Sequence, residues 1–215
     1  MQQQMIDFPT LNWAELKARN ESAIQTMRKG LERTGIVILT NHPIEVTVKN
    51  KATFGGHYSK VFNSDFDTFL NDLMSVIATS MEIIESEFFK GTVREQLEYP
   101  NSHSNPLNAN VIASIVLKSI TDFKVWHKEN WVSLPITENT HPILVRCGTI
   151  LEHLTGGIYV PGGIIDIETF KNSRSFYYRP DGDFKIEPLE EFPHNSSKYR
   201  FKTVNEYVAN QHLET

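Results

Sequence analysis

Residues 142–159 read PILVRCGTILEHLTGGIY, and the reading of this stretch decides the fold. Residues 143–147 form an apolar run of strand length. Residues 149–155 break it, as a helical turn or as a wide corner. Gly156 and Gly157 read as a turn, and residues 158–160 resume a strand-like run.

Working outward, the same texture repeats. Strand-like runs occupy 111–117, 123–126 and 131–134 before the stretch, and 164–167 and 173–178 after it. Several short strands separated by turns predict a sandwich or barrel. Ahead of them the chain is helical with one strand. Asn20 is placed to cap a helix with Ile24, Met27 and Leu31 on one face, stopping at Gly35. A short buried strand follows at 36–39, closed by a turn at Asn41, His42, Pro43 and Ile44. A long helix is expected from about 64 to 88, because Phe66, Phe69, Leu70, Leu73, Ile77, Ile84 and Phe88 fall at helical spacing. The tail carries Val204, Tyr207 and Val208 at helical spacing and reads as a short docked helix.

The 215 residues suffice for one substantial core. At 40% hydrophobic and 22% charged, the composition is that of an ordinary soluble domain. A net charge of −5 argues against nucleic-acid and anionic-membrane partners, which favour a basic face. No apolar run reaches the ~20 residues that span a bilayer, and no signal peptide is visible. The single cysteine, Cys147, cannot form an internal disulfide and reads as a buried inert thiol. A cytoplasmic location is the expectation. Gly55, Gly56, Gly162 and Gly163 match no phosphate-loop pattern, and the histidines show no local metal-binding spacing.

The segment at 142–159 resembles a stretch of the iron- and 2-oxoglutarate-dependent oxygenases related to isopenicillin N synthase, in which an apolar strand leads into Gly-Asp-x-Leu-x-x-Leu-[TS]-Asn-Gly-x-Tyr. Residues 31–44 (LERTGIVILTNHPI) resemble that family's N-terminal signature. Residues 123–135 (FKVWHKENWVSLP) resemble its strand pair Gly-Leu-x-Val followed by Trp-[IV]-x-[VL]-x-Pro, and residues 196–208 resemble its closing segment. The four lie in the family's order over most of the chain. The resemblance implies a mainly β fold with flanking helices: a double-stranded β-helix, a distorted, cupin-like jelly roll. It implies a single domain over 1–215, with a helical part at 1–98, the β-helix at 99–195 and a C-terminal helix at 196–215. The chain is shorter than the family's usual enzymes between about 48 and 65 and between 99 and 103, which implies a smaller, more open or absent pocket.

The chemistry implied by the same resemblance does not fit. The family holds iron with a His-x-Asp pair and a distal histidine, three donors on one side of the metal with open positions for 2-oxoglutarate and oxygen. Counting on from Thr155, the distal position is Ile164, whose hydrocarbon side chain ligates nothing. The nearest counterpart of His-x-Asp is His103 with Asn105, or Pro106 with Asn108 in a register without a gap; both lack the carboxylate. His103 reads as an ordinary loop histidine or as a remnant ligand. The positions matching the family's Arg-x-Ser clamp for 2-oxoglutarate are Lys171 and Ser173, with Arg174 beside them but turned to the other face by strand alternation. Tyr99 matches a tyrosine that contacts the cosubstrate, or is core. The expectation is a catalytically degenerate member with no cofactor and a non-redox role, binding a small molecule or a protein partner. The alternative is an enzyme that uses Fe(II) and 2-oxoglutarate through rearranged ligands, or metal-independent chemistry in the same cavity. The sequence leaves oligomeric state open.

Overall fold

The computed structural model of the protein describes residues 8–44, 64–83, 91–96, 113–118, 124–127, 129–134, 142–165, 173–190, 192 and 203–211. Among these, the elements are β1 (Thr10–Asn12), α1 (Trp13–Lys17), α2 (Glu21–Arg33), β2 (Ile36–Thr40), α3 (Ser64–Ser80), β3 (Gly91–Gln96), β4 (Ala113–Lys118), β5 (Lys124–His127), β6 (Asn130–Ser133), β7 (Ile143–Cys147), α4 (Thr149–Leu154), β8 (Ile164–Ile165), β9 (Ser173–Pro180) and α5 (Val204–Gln211).

Local chemistry sets the first helices. Asn12 caps α1 by accepting the Ala14 N–H at 2.9 Å, and Asn20 caps α2 by accepting the Ala23 N–H at 3.2 Å. Ile24, Met27 and Leu31 are buried, as the spacing predicts. Gly35, at φ +68, turns the chain from α2 into β2. Its carbonyl accepts the Cys147 N–H at 2.8 Å, which ties the turn to β7.

The long helix is shorter than its periodicity suggests. It closes at Ser80, with Glu82 in the left-handed region at φ 60. The Ile83 N–H donates to the Ala78 carbonyl at 3.2 Å and the Glu82 N–H to Thr79 at 3.0 Å, the paired bonds of a Schellman cap. Such caps usually carry glycine, so a glutamate there gives no stop signal. Ile84 and Phe88 lie outside the described residues.

Two sheets follow. The larger has the order β1-β2-β7-β4-β9-β3, and the smaller β6-β5-β8. The pair β1 and β2 is parallel; every other pairing is antiparallel. The elements β1, α1 and β3 were not legible as strands or helix. The run at 158–160 is no strand: it follows Gly156 (φ 59) and Gly157 (φ 86) as a turn-rich connection. The interruption at 149–155 is a helix, α4.

One side of the large sheet carries the helices. Val37, Leu39, Ile143, Val145, Cys147, Phe176 and Tyr178 form one buried cluster with Met27 and Leu31 of α2 and Phe69, Leu73 and Ile77 of α3. Trp13 stacks on Phe69 with ring centroids 4.7 Å apart, and Lys17 pairs with Asp72 at 2.8 Å. The C-terminal helix docks by Val204 and Tyr207, the latter against His153 at 5.1 Å. No helix among the described residues is long and apolar enough to cross a membrane.

Candidate functional site

Strand alternation separates the large sheet into a helix side and an opposite side. Ile36 and Ile38 of β2 and Leu144 and Arg146 of β7 alternate with the helix-side residues, and all four are buried. Their register continues outward. Ile36 pairs with Arg146, which pairs with Ser114, which pairs with Tyr177; Ile38 pairs with Leu144, which pairs with Val116, which pairs with Ser175. This side is the interior of the β-helix. The chain reaches it from the large sheet through residues 160–163. There the Val160 N–H donates to Leu31 at 3.1 Å and the Gly162 N–H to Cys147 at 3.0 Å. A Cβ on Gly162 would stand 2.7 Å from the Gly35 carbonyl oxygen and 2.9 Å from the Arg146 Cβ, so only glycine passes here.

Arg146 lies at the centre of this crossing. It is 1% exposed. Its Nη2 donates to the Gly162 carbonyl at 3.3 Å and to the Gly163 carbonyl, immediately before β8. A guanidinium stays charged in any protein interior, so a positive charge sits at the start of β8. Two positions along the interior side of β9 from Ser173, the hydroxyl of Ser175 is buried and makes no hydrogen bond to the described residues. Sequence reasoning singled out neither residue. The one legible signal was an arginine inside the otherwise apolar run of β7.

The residues proposed from the sequence are placed as follows. Ile164 opens β8 opposite Trp126, and Ile165 stands opposite Val125. Val125 is buried and Trp126 is 38% exposed. Directly paired positions share a side of the sheet, so position 165, rather than 164, falls on the side of the buried Val125. Positions 164 and 165 are both isoleucine, and 162 and 163 both glycine. Ser173 begins β9 opposite Lys118. Position 174 pairs with Leu117, in the row of Ile143 and Leu39, which belong to the helix side. The register thus puts Arg174 and Ser173 on opposite sides of the sheet. Tyr99, His103, Asn105, Pro106, Asn108 and Lys171 lie outside the described residues. Among the described residues no three His, Cys, Asp or Glu side chains gather as a metal ion would need.

The surroundings are buried and unreactive. Tyr159 is fully buried; its hydroxyl donates to the Ser80 carbonyl at 3.0 Å and lies 3.2 Å from the Ser80 hydroxyl. This fastens the connection between α4 and β8 to the end of α3. Burial pushes the Tyr159 phenol far above its ordinary range, only partly opposed by the Ser80 hydrogen bond. Burial, and then Glu152, likewise pushes the Cys147 thiol well above the usual thiol range. The thiolate is the nucleophile, so Cys147 is inert, as expected.

No protein-family model and no curated protein sequence matches the chain. Solved structures do. The chain is similar to a full-length Neurospora crassa protein in complex with alpha-KG, at TM-score 0.63 and 10% identity over 100% of this chain and 98% of that one. It is similar to JOX2 in complex with 2OG, Fe and JA, at TM-score 0.64 and 14% identity over 95% and 85%. It is also similar to the rice dioxygenase for auxin oxidation, at TM-score 0.64 and 10% identity over 97% and 96%. At these identities the likeness concerns architecture. By its fold, the chain is a double-stranded β-helix of the kind built by the 2-oxoglutarate- and iron(II)-dependent oxygenases.

Proposed function

We propose that this chain is an oxygenase-fold protein that does not hold iron through a histidine–carboxylate triad and instead binds a small molecule in the interior of the β-helix without redox chemistry. The observation that carries the reading is the start of β8. Its residues are Gly162, Gly163, Ile164 and Ile165, none of which has a side-chain donor atom for the place of the distal ligand. The residues present do not fit iron. The candidates for His-x-Asp, in either register, offer a carboxamide instead of a carboxylate, a weak donor for ferrous iron.

The test is anaerobic loading with ferrous iron, desalting and metal analysis, together with an assay of 2-oxoglutarate decarboxylation. The expected result is iron far below one equivalent and turnover equal to a control without protein. One equivalent of iron bound inside the barrel, or turnover above the control, overturns the reading.

A further inference from the structure

We propose that the chain self-associates through the edge of the small sheet, β6 of one copy pairing antiparallel with β6 of a second copy about a two-fold axis. This is independent of the metal-free reading above.

Among the described residues β6 lies at the edge of its sheet. Natural edge strands are usually blunted by a lysine, a proline or a bulge. Residues Asn130–Ser133 read NWVS and carry none of these, and they pair with β5 without interruption from Lys124–Ser133 to His127–Asn130. Asn130, Trp131 and Ser133 are exposed. Trp126 and Trp131 are the exposed large hydrophobics among the described residues, and their rings touch, with centroids 5.5 Å apart. A single surface tryptophan is ordinary; two in contact beside an unblunted edge form a surface that gains from being covered.

Hydrogen-bond alternation decides which residues face the edge. The Trp126 carbonyl oxygen lies against Gly163, on the β8 side of β5. Trp126 and Trp131 are therefore a pair without mutual hydrogen bonds, and the N–H and C=O of Trp131 point to the open edge, as do those of Ser133. A second β6 must match both these groups and the side of the sheet on which the side chains stand. With Trp131 on the two-fold axis both conditions hold, and the chemistry matches as well. The central row becomes Trp126, Trp131, the partner's Trp131 and the partner's Trp126. The rows on either side bring Lys124 and Ser133 up to the partner's Glu129, and the reverse. Lys124 and Glu129 are both exposed. In this register they stand two strand spacings apart, roughly 10 Å between Cα atoms, and their long side chains meet over the small Ser133. Opposite charges at the rim fix register more than they add affinity. Four residues of strand and a pair of indoles cover less than the ~800 Å² per partner of a standard interface, so the association is weak.

The experiment is sedimentation equilibrium of the full chain from about 5 to about 500 µM, a range that covers weak association. The expected mean mass rises from one chain toward two, and tryptophan emission shifts to the blue over the same range. Trp131→Lys puts a charge on the edge and should weaken association at least tenfold. Ser133→Pro removes an N–H that points to the edge and spares the ladder to β5, and should do the same. Should Trp131→Lys fail to fold, Ser133→Pro and the charge variants carry the test. Lys124→Glu and Glu129→Lys should each weaken association severalfold, and the two combined in one chain should restore it to within about twofold, since the pair then meets with its signs exchanged. A wild-type chain that stays single to the highest concentration overturns the proposal and leaves the indole face to a partner of other chemistry. Association undiminished in both Trp131→Lys and Ser133→Pro overturns it too, because another surface then carries the contact. A double charge variant no tighter than the single ones overturns the register. None of these results bears on iron.

Discussion

At the scale of single residues, the interior and the helix side of the sheet hold polar groups of opposite kinds. The Ser175 hydroxyl makes no hydrogen bond to the described residues, and an unmade hydrogen bond in a buried place costs about 1–3 kcal/mol. Ser175→Ala should therefore leave the ligand-free chain as stable as before or more stable by about 1 kcal/mol, measured by urea unfolding. A loss of 2 kcal/mol or more would mean that the hydroxyl has a partner. Tyr178 tests the helix side. Burial, and then the neighbouring Asp181, raises its phenol to about 12. In the unfolded chain a tyrosine ionises near 10, so on raising the pH the unfolded state releases the proton first. The stabilising contribution is complete below pH ~10 and is lost as the pH rises to about 12. Unfolding free energies measured across that window should fall with pH, and Tyr178→Phe should flatten the slope. An unchanged slope in the variant would remove this account. Little of this was readable beforehand, because a lone serine or arginine in a strand has no sequence signature until register says which side it occupies.

At the scale of elements, legibility followed the strength of local signals. An asparagine cap, three apolar residues at helical spacing and a terminal glycine gave α2 to within a residue or two, and the short apolar runs gave β2 and β7. The end of α3 was unreadable because a glutamate occupies the left-handed cap position. That position makes a prediction. Glu82→Gly should relieve the positive φ and stabilise the fold by up to about 1 kcal/mol. The substitution also removes the 2.7 Å ion pair with Arg28. Glu82 is mostly exposed, so the lost pair offsets little of the gain. Thermal unfolding decides it, and a lower midpoint would show that the ion pair outweighs the backbone strain. The run at 158–160 failed as a strand for the converse reason. Its apolar residues are fixed by two glycines at positive φ and by the Tyr159 hydroxyl on Ser80, and periodicity reports neither.

At the scale of the whole molecule, the order β1-β2-β7-β4-β9-β3 places strands side by side that lie far apart in sequence. No local pattern states such an order; the four motif-like segments in sequence did, by resemblance. The interior site was legible only as an absence, an isoleucine where a donor was expected. Arg146 emerged only when β7 and the start of β8 were brought together.

The three tryptophans divide between the two layers. Trp13 is 4% exposed against Phe69 on the helix side, whereas Trp126 and Trp131 face each other across β5 and β6, 38% and 50% exposed, with centroids 5.5 Å apart. The chain thus carries its own optical reporters. Emission that iodide quenches comes from the small sheet, and emission that resists it comes from beneath the helices. Heating the protein with and without quencher therefore shows, in one cuvette, whether the two layers melt as one unit or in succession.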